Sequence, residues 1–305
     1  MFHIATFYKF VSLENLRKTR KRVETLCLKN DAHGTILIAS EGINGTIAGP
    51  SDGIAAVLDG LRSDPCFEDL VVTYSTASEP PFLRLRVRLK KEIVSLGVGA
   101  VDAVHRTGHR VSPGDWNALI SDPDIVLIDA RNDYEVAVGT FAGAINPGTR
   151  SFTQFPEWIA SSPEFASKPR IAMFCTGGIR CEKASAYLKD QGFDDVYQLD
   201  GGILRYLDTV PEDDSTWDGE CYVFDRRVSV GHGLLPGDNE ICVNCNRVLG
   251  AADRSEDGYV EGVSCPACVD SITEDRRTRF AERQHQIELA KQRGTSHLGS
   301  SIDAI

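Results

Sequence analysis

The spacing of apolar residues over positions 1–91 predicts a domain in which strands and helices alternate. Apolar residues at every second position indicate strands, whereas apolar residues three or four positions apart indicate helices. Ser12 has the residue type that caps a helix N-terminus. The predicted elements, in chain order, are strand 2–8, helix 12–29, strand 34–39, a turn at 40–45, strand 46–48, helix 51–62, and strands 70–74 and 82–89. This order predicts an α+β sandwich.

The strand predicted at 82–89 has the strictest alternation in the chain. One face carries Leu83, Leu85, Val87 and Leu89, and the other carries Arg84, Arg86, Arg88 and Lys90. A solvated sheet face or a protected sheet edge is the ordinary explanation of such a pattern. Four cations about 7 Å apart repel one another, however, and a polyanion would offset that repulsion. Together with further cations on the first predicted helix, they predict an RNA-binding surface; the helix residues are Lys18, Arg20, Lys21 and Arg22.

Between residues 110 and 215, buried-type strands near Ile125, Ile171 and Val196 alternate with helical stretches. This pattern is typical of an α/β fold with a parallel sheet covered on both faces. We therefore predict five regions. They are a ferredoxin-like or acylphosphatase-like α+β RNA-binding domain over 1–91, a linker over 92–109, a central three-layer catalytic domain over 110–215, a small cysteine-rich domain over 216–285 and a flexible tail over 286–305.

Composition and charge narrow the function classes. The net charge of −11 argues against a protein that coats nucleic acid indiscriminately, yet residues 1–91 alone carry +3. No stretch approaches the ~18 apolar residues of a membrane span, and the N-terminus lacks the features of a secretion signal. We therefore expect a cytoplasmic protein without a membrane partner. The nine cysteines, an odd number clustered in two places, indicate thiol and metal chemistry.

Cys175 lies between a predicted strand and a predicted helix. Gly177 and Gly178 let backbone N–H groups over Thr176–Ile179 turn inward as an anion-binding nest. The helix N-terminus and Arg180 add positive charge, so that the thiolate is favoured over the thiol. Cys175 is therefore predicted to be a nucleophile, the alternative being a small buried apolar residue.

A second cysteine cluster has the spacing of a metal site. Two Cys-x₂-Cys pairs are separated by 19 residues: Cys242, Cys245, Cys265 and Cys268. Two turns that each present two thiolates to one ion predict a structural Zn²⁺ with no position left for a substrate. Disulfides and an iron–sulfur centre remain alternatives.

The loop from Cys175 to Arg180 resembles the active-site loop of the rhodanese family, which cradles a cysteine persulfide in six residues. The rest of that family's signature follows the same order here: Asp129-x-Arg131, Glu135, Gly143-Ala144-x-Asn146 and Gly201-Gly202. One position departs from it, because Thr140 stands where many rhodaneses have histidine. A phosphatase of the same architecture would need one more residue in the loop.

The order of the parts over about 1–285 resembles the oxygen-dependent tRNA uridine(34) hydroxylase family, which makes 5-hydroxyuridine at the wobble position. Its most specific segment is 175–185, where Cys181 directly follows the rhodanese-type arginine. The resemblance implies the anticodon region of tRNA as partner, molecular oxygen as co-substrate and Cys175 as the active-site residue. No iron-binding triad and no flavin-type glycine fingerprint is evident in the sequence, so no organic cofactor is expected.

The chemistry then requires another way to activate the base. We hypothesise that the Cys175 thiolate adds to C6 of uracil, that Arg180 and the loop N–H groups hold the charge that develops, and that Cys181 is a resolving thiol or redox partner. Packing in the helix is the alternative for Cys181. Glu182 and Lys183 either move protons or lie on a solvated helix face. Two other functions remain open, a sulfurtransferase with a persulfide on Cys175 and a non-enzymatic tRNA-binding adaptor.

Overall fold

The computed structural model describes residues 1–99 and 101–295. The chain forms two compact units, Met1–Pro236 and Gly237–Ile305. The first unit holds an N-terminal α+β layer pair and a central parallel sheet. The second unit contains the four clustered cysteines. In the described part of the chain, no helix has the length and apolar character needed to cross a membrane.

The N-terminal part is a five-stranded sheet with two helices on one face. Its elements are β1 (Phe2–Phe10), α1 (Leu16–Lys29), β2 (His33–Ala39), β3 (Gly42–Gly49), α2 (Ser51–Arg62), β4 (Val71–Ala77) and β5 (Leu85–Leu89). The strand order is β4-β1-β3-β2-β5, antiparallel except for β2 with β5. The first four strands have the ferredoxin-like order, which confirms the predicted fold of this part, and β5 extends the sheet next to β2.

The two faces of this sheet differ in chemistry. Phe7, Ile36 and Val87 belong to the apolar core shared with the helices. The opposite face carries Thr6 and Thr46, whose hydroxyls are hydrogen-bonded at 3.1 Å. Because side chains alternate along a strand, each strand sends one set to the core and one set to the open face. The sheet therefore presents a largely polar open face.

The predicted start of the first helix is wrong. Helix α1 begins at Leu16 after Asn15, not at Ser12. The reason is tertiary, because the backbone N–H groups of Val11 and Leu13 donate to the carbonyls of Glu41 and Ser40, both at 2.9 Å.

The turn predicted at 40–45 is also shorter, since β3 already begins at Gly42. A Cβ at Gly42 would lie 2.0 Å from the carbonyl oxygen of Lys9. This glycine therefore permits close strand pairing and does not form a wide turn. The last predicted strand starts later than expected as well, at Leu85.

The central part is a three-layer α/β arrangement, as predicted. It contains β6 (His109–Val111), α3 (Pro113–Ile120), β7 (Ile125–Asp129), α4 (Asp133–Val136), β8 (Gly139–Phe141), α5 (Phe155–Ser161), β9 (Arg170–Phe174), α6 (Ile179–Asp190), β10 (Val196–Leu199) and α7 (Gly202–Thr209). The parallel sheet has the order β6-β10-β9-β7. Helices α5 and α6 share a core with one face of this sheet, and α3 and α7 share a core with the other.

The segments before and after the central domain are folded parts of the first unit, which the sequence did not predict. In the stretch 92–109, predicted as a linker, Ile93 and Leu96 are fully buried and His109 starts β6. The stretch 216–236, predicted within the cysteine-rich domain, lies in the first unit. It contains β11 (Trp217–Gly219), β12 (Cys221–Tyr222) and β13 (Ser229–Val230), and β11 pairs with β8. Trp217 packs edge-on against Phe141 with 5.0 Å between ring centroids.

The second unit contains little regular structure before its long helix. Its elements are a pairing of β14 (Glu240–Ile241) with β15 (Val248–Leu249), followed by α8 (Ala251–Ser255) and α9 (Glu274–Gln292). Helix α9 continues through 286–292, the beginning of the predicted flexible tail. The predicted tail over 296–305 lies outside the described residues.

The first unit also contains short 3₁₀ turns. They lie at Pro65–Phe67, Phe152–Gln154, Pro163–Phe165, Glu212–Asp214 and His232–Leu234.

Candidate active site

Cys175 directly follows β9 and lies at the N-terminus of α6. Its Sγ accepts a hydrogen bond from the backbone N–H of Gly178 at 3.2 Å. Gly178 has φ +91° and is the N-cap residue of α6, and a Cβ at this position would lie 3.0 Å from the Tyr8 hydroxyl oxygen. This left-handed conformation is nearly free of cost only for glycine, so the glycine is what turns the amide toward the sulfur.

The surroundings of Cys175 favour its thiolate. Burial by itself raises the pKa of a thiol, yet the pKa of Cys175 is lowered from 9.0 to about 6. A side-chain hydrogen bond from Cys181, the charge of Arg180 and backbone donors at Cys181 and Arg180 outweigh the burial. The pKa of Cys181 is raised well above its ordinary value by burial and by the neighbouring thiolate. Cys181 therefore stays a thiol and donates to Cys175.

Arg180 is paired with the buried carboxylate of Glu135. Its two terminal nitrogens donate to the two carboxylate oxygens of Glu135, both at 2.7 Å, and one of them also donates to the Thr176 hydroxyl at 3.2 Å. Burial raises the pKa of the Glu135 carboxyl, but the charge of Arg180 outweighs it and keeps the pKa below the usual range. These bonds use three of the five N–H donors of Arg180, which also lines the cavity described below, so its role in holding substrate charge stays a prediction. The guanidinium acts on Cys175 through its charge.

A second glycine pair, Gly201 and Gly202 at the start of α7, lies next to the cysteine loop and helps to hold it in place. The N–H groups of Ile203 and Leu204, in the first turn of α7, donate to the carbonyls of Cys175 and Thr176 at 3.0 Å each. Gly202 has φ +67°, and a Cβ there would lie 2.5 Å from the Cys175 carbonyl oxygen. The loop thus rests on a helix N-terminus that only a glycine lets approach.

The loop faces a cavity of about 530 Å³. One side is formed by the cysteine loop with Thr176, Gly177, Ile179 and Arg180, and the other by the open face of the N-terminal sheet with Thr6, Tyr8, Thr35, Asn44 and Thr46. Small-molecule sites commonly have volumes of about 300–1,000 Å³. The cavity is therefore large enough for one nucleoside, with the buried Cys175 at its inner wall.

The cations of β5 lie on the cavity side of the sheet. Arg86 and Arg88 pair in register with Thr35 and Leu37, two residues that line the cavity, and Lys90 lines it directly. Arg84 precedes the strand and is exposed.

The helix cations do not join this row. Helix α1 packs on the other face of the sheet, where Lys18 and Lys21 border a shallow groove beside α2. Arg22 lines the same groove and is paired with Asp64 at 2.7 Å. The strand and helix cations, expected to act together, therefore lie in different layers.

Glu182 and Lys183 are buried, so the solvated-face explanation is wrong. Glu182 accepts hydrogen bonds from Tyr8 at 3.1 Å, Arg110 at 2.7 Å and Gln198 at 2.9 Å. The contact with Tyr8 joins α6 to β1 of the N-terminal sheet, and the other two join it to β6 and β10.

Lys183 makes the second such connection. Its Nζ is paired with Glu41 at 2.9 Å and with Glu92. Both α6 residues thus fix the cysteine loop against the N-terminal part. One signal of this role was visible in the sequence, the position of the two charges directly after the loop.

The four clustered cysteines meet in the second unit. Their ligand atoms lie within 4.8 Å of one another, with Sγ–Sγ distances of 3.7 Å for Cys242–Cys268 and 3.6 Å for Cys245–Cys265. A tetrahedral ion with Zn–S bonds of ~2.3 Å would place its sulfurs about 3.8 Å apart. The cluster has the geometry to bind a metal ion.

The fold and the site together define a rhodanese-like thiolate loop joined to an acylphosphatase-like domain. The comparisons agree, since residues 2–93 match the "UPF0176 acylphosphatase like domain" and residues 112–209 match the "Rhodanese-like domain". The chain is 54% identical over 298 residues to a tRNA uridine(34) hydroxylase of Agrobacterium fabrum, covering 98% of this chain and 95% of that protein. It is 52% identical over 299 residues to one of Acaryochloris marina, covering 98% and 96%. The chain belongs to the tRNA uridine(34) hydroxylase family.

Proposed function

We propose that the protein hydroxylates C5 of the wobble uridine of tRNA, with molecular oxygen as co-substrate and the Cys175 thiolate as nucleophile. The observation that carries this proposal is a thiol with a pKa of about 6 at the wall of a nucleoside-sized cavity. The names of the relatives give the substrate position. We expect the protein to act in the cytoplasm, because translation takes place there.

The chemistry needs a carbanion-like C5, because O₂ does not react with an unactivated uracil. Attack of Cys175 Sγ on C6 forms a C–S bond and moves an electron pair to C5 and O4 as an enolate. The enolate transfers electrons to O₂ and forms a C5 hydroperoxide after protonation. Arg180 donates to Glu135 and Thr176 and stabilises the thiolate through its charge.

Cys181 is the thiol that reduces the hydroperoxide. Attack of its sulfur on the outer oxygen breaks the O–O bond, leaves a hydroxyl on C5 and forms a sulfenic acid on Cys181. Loss of the C5 proton and of the C6–S bond then restores the ring and frees the Cys175 thiolate, which attacks the sulfenic acid to give a disulfide and water. Uridine, O₂ and two thiols thus yield 5-hydroxyuridine, a disulfide and water, and an external thiol reductant must regenerate the pair.

Nucleoside mass spectrometry of tRNA from a deletion strain tests the function. The wild-type gene should restore 5-hydroxyuridine in air and fail to restore it without air. Cys175→Ser should not restore it, whereas Cys66→Ser, at a half-buried cysteine of the N-terminal core, should. Restoration by Cys175→Ser would contradict the role of the thiolate and would favour the tRNA-binding adaptor.

The rhodanese-type loop keeps a sulfurtransferase as the second candidate. The observation in its favour is the Gly178 N–H aimed at Cys175 Sγ, which would equally hold a persulfide. A thiosulfate:cyanide transfer assay run beside oxygen-dependent hydroxylation separates the two. Sulfur transfer without hydroxylation would replace the proposal.

The anticodon region is the part of tRNA that we expect on the cavity side. Arg86, Arg88 and Lys90 lead along β5 toward the cavity and suit a phosphate backbone, with Arg84 at the start of the same row. Lys18, Lys21 and Arg22 form a separate patch that suits a more distant part of the same RNA.

We also propose that the metal at the four cysteines is a structural Zn²⁺. Four thiolates fill a tetrahedral shell, and three of the four residues are buried. Elemental analysis of the purified protein should give one zinc per chain. A brown protein with charge-transfer absorption in the visible range would indicate an iron–sulfur centre instead.

A further inference from the structure

Phe224 is an aromatic side chain left open at the edge of the cavity. All thirteen phenylalanines lie in the described part of the chain, and Phe224, 61% exposed, is the one that is not buried or half-buried. It lines the same cavity as Cys175. A single exposed apolar residue is common on protein surfaces, so a binding role for Phe224 needs support from the residues around it.

The loop that carries Phe224 is held rigidly. Arg227 donates to both carboxylate oxygens of Asp225 at 2.9 and 2.6 Å, with both side chains nearly buried, and also to the Ser75 hydroxyl at 2.9 Å. Val228 has φ +66°, a costly conformation for a β-branched residue that persists only when its surroundings enforce it. A rigid loop presents the ring at its tip in a fixed position, which lowers the entropy lost on binding.

The Phe224 ring continues a row of aromatic side chains. It packs edge-to-face on Tyr222 with 5.2 Å between centroids, and Tyr222 packs in the same way on Tyr134 at 5.4 Å. Tyr134 is 40% exposed, and its neighbour in the chain is Glu135, the partner of Arg180. The row therefore runs from the cavity edge along the surface beside the cysteine loop.

We propose that Phe224, supported by Tyr222 and Tyr134, is a stacking platform for the nucleobase next to the uridine in the cavity. The proposal rests on the proposed function. A base that leaves its stack to enter a pocket also unstacks its neighbours, and an exposed aromatic ring replaces part of that lost stacking in single-stranded RNA. Lys90 on the same cavity supplies the complementary charge for the phosphate between the two nucleotides.

Photo-crosslinking tests the contact directly. An anticodon stem-loop RNA that carries 5-iodouridine beside the target uridine should crosslink to Phe224 on irradiation, as mapped by mass spectrometry. Phe224→Tyr should keep the crosslink and Phe224→Ala should lose it. Tyr74→Ala is the matched control, because Tyr74 is 53% exposed and does not line the cavity.

Binding and kinetics provide the second measurement. Loss of one base–aromatic stack should raise the Kd for the stem-loop by about 5- to 150-fold in Phe224→Ala, with near-wild-type binding in Phe224→Tyr. The Cys175 thiolate titration should be unchanged in both variants, which would show that the loop from Cys175 to Arg180 has stayed intact. A raised Kd without any crosslink at Phe224 in the wild type would overturn the stacking role.

The outcomes separate this inference from the proposed function. If the crosslink depends on Phe224 but no 5-hydroxyuridine forms, the platform stands and the hydroxylase proposal falls. If hydroxylation proceeds and Phe224→Ala changes neither crosslink nor Kd, the platform falls and the function stands. If the protein neither binds the stem-loop nor modifies it, both are overturned.

Discussion

The hydrogen bond from Cys181 should control how much of Cys175 is thiolate at neutral pH. The lowering of the pKa from 9.0 to about 6 corresponds to about 4 kcal/mol in favour of the thiolate. Among the contributions that lower the pKa, the side-chain hydrogen bond from Cys181 is the largest. We therefore expect Cys181→Ala to raise the pKa of Cys175, whereas Cys181→Ser, which keeps a hydroxyl donor, should raise it less.

The magnitude follows from the strength of a charge-assisted hydrogen bond. Such a bond contributes about 1.5–3 kcal/mol, which corresponds to a pKa higher by roughly 1–2. The Cys175 pKa in Cys181→Ala should then lie near 7–8, so that the thiolate fraction at pH 7 falls from about nine-tenths to between a tenth and a half. The Gly178 N–H and the charge of Arg180 remain and prevent a full return to 9.0.

Thiolate absorbance at 240 nm against pH measures this directly, with Cys175→Ser subtracted to isolate one sulfur. Because the absorbance needs no reagent, the burial of Cys175 does not interfere. A Cys181→Ala titration with the wild-type midpoint would refute the reasoning. An equal upward change in Cys181→Ser and Cys181→Ala would show that packing, and not hydrogen-bond donation, sets the pKa.

Three further results are expected. Lys183→Met should lower the free energy of unfolding by about 1.5–3 kcal/mol in urea titrations at pH 7, because it removes charge-assisted hydrogen bonds to two carboxylates. Burial raises the pKa of Glu92 but Lys183 outweighs it and lowers that pKa, so the stabilisation is lost as the pH falls through the lowered pKa; a pH-independent difference would contradict the ion-pair account. Arg86→Ala and Arg88→Ala should each reduce the salt dependence of RNA binding by about 0.7 in the log–log slope, as measured by anisotropy, and an unchanged slope would place the phosphates elsewhere. A strong chelator or Cys245→Ser should release the metal and lower the melting temperature of the cysteine-rich unit, and unaltered melting would argue against a structural ion.

Local sequence decided the cysteine loop and the metal cluster. A cysteine after a strand, two glycines and an arginine at fixed spacing determine the backbone geometry within six residues, and the structure brings them together as predicted. The two Cys-x₂-Cys turns are likewise short-range features, although their meeting is tertiary. The ferredoxin-like order of β1–β4 followed from apolar periodicity, because alternation and helical spacing are local properties.

Long-range contacts decided the role of the charges. The sequence gives Glu182 and Lys183 the same appearance as any polar helix face, and only the packing of α6 against the N-terminal part buries them. The sequence alone does not show that the Arg180 guanidinium is paired with the Glu135 carboxylate, 45 residues away in the chain.

The sequence by itself thus determined which sulfur can be ionised and which strands and helices form, because these depend on neighbours in the chain. Tertiary structure alone decided that Lys90 lines the same cavity as Cys175 and that Arg86 and Arg88 lie on that side of the sheet, whereas the α1 cations border a groove beside α2. It also placed Phe224 at the cavity edge, far along the chain from the sheet it faces. The physical reason is that a side chain's free energy in a charge network or a cavity wall depends on partners that the local pattern does not specify.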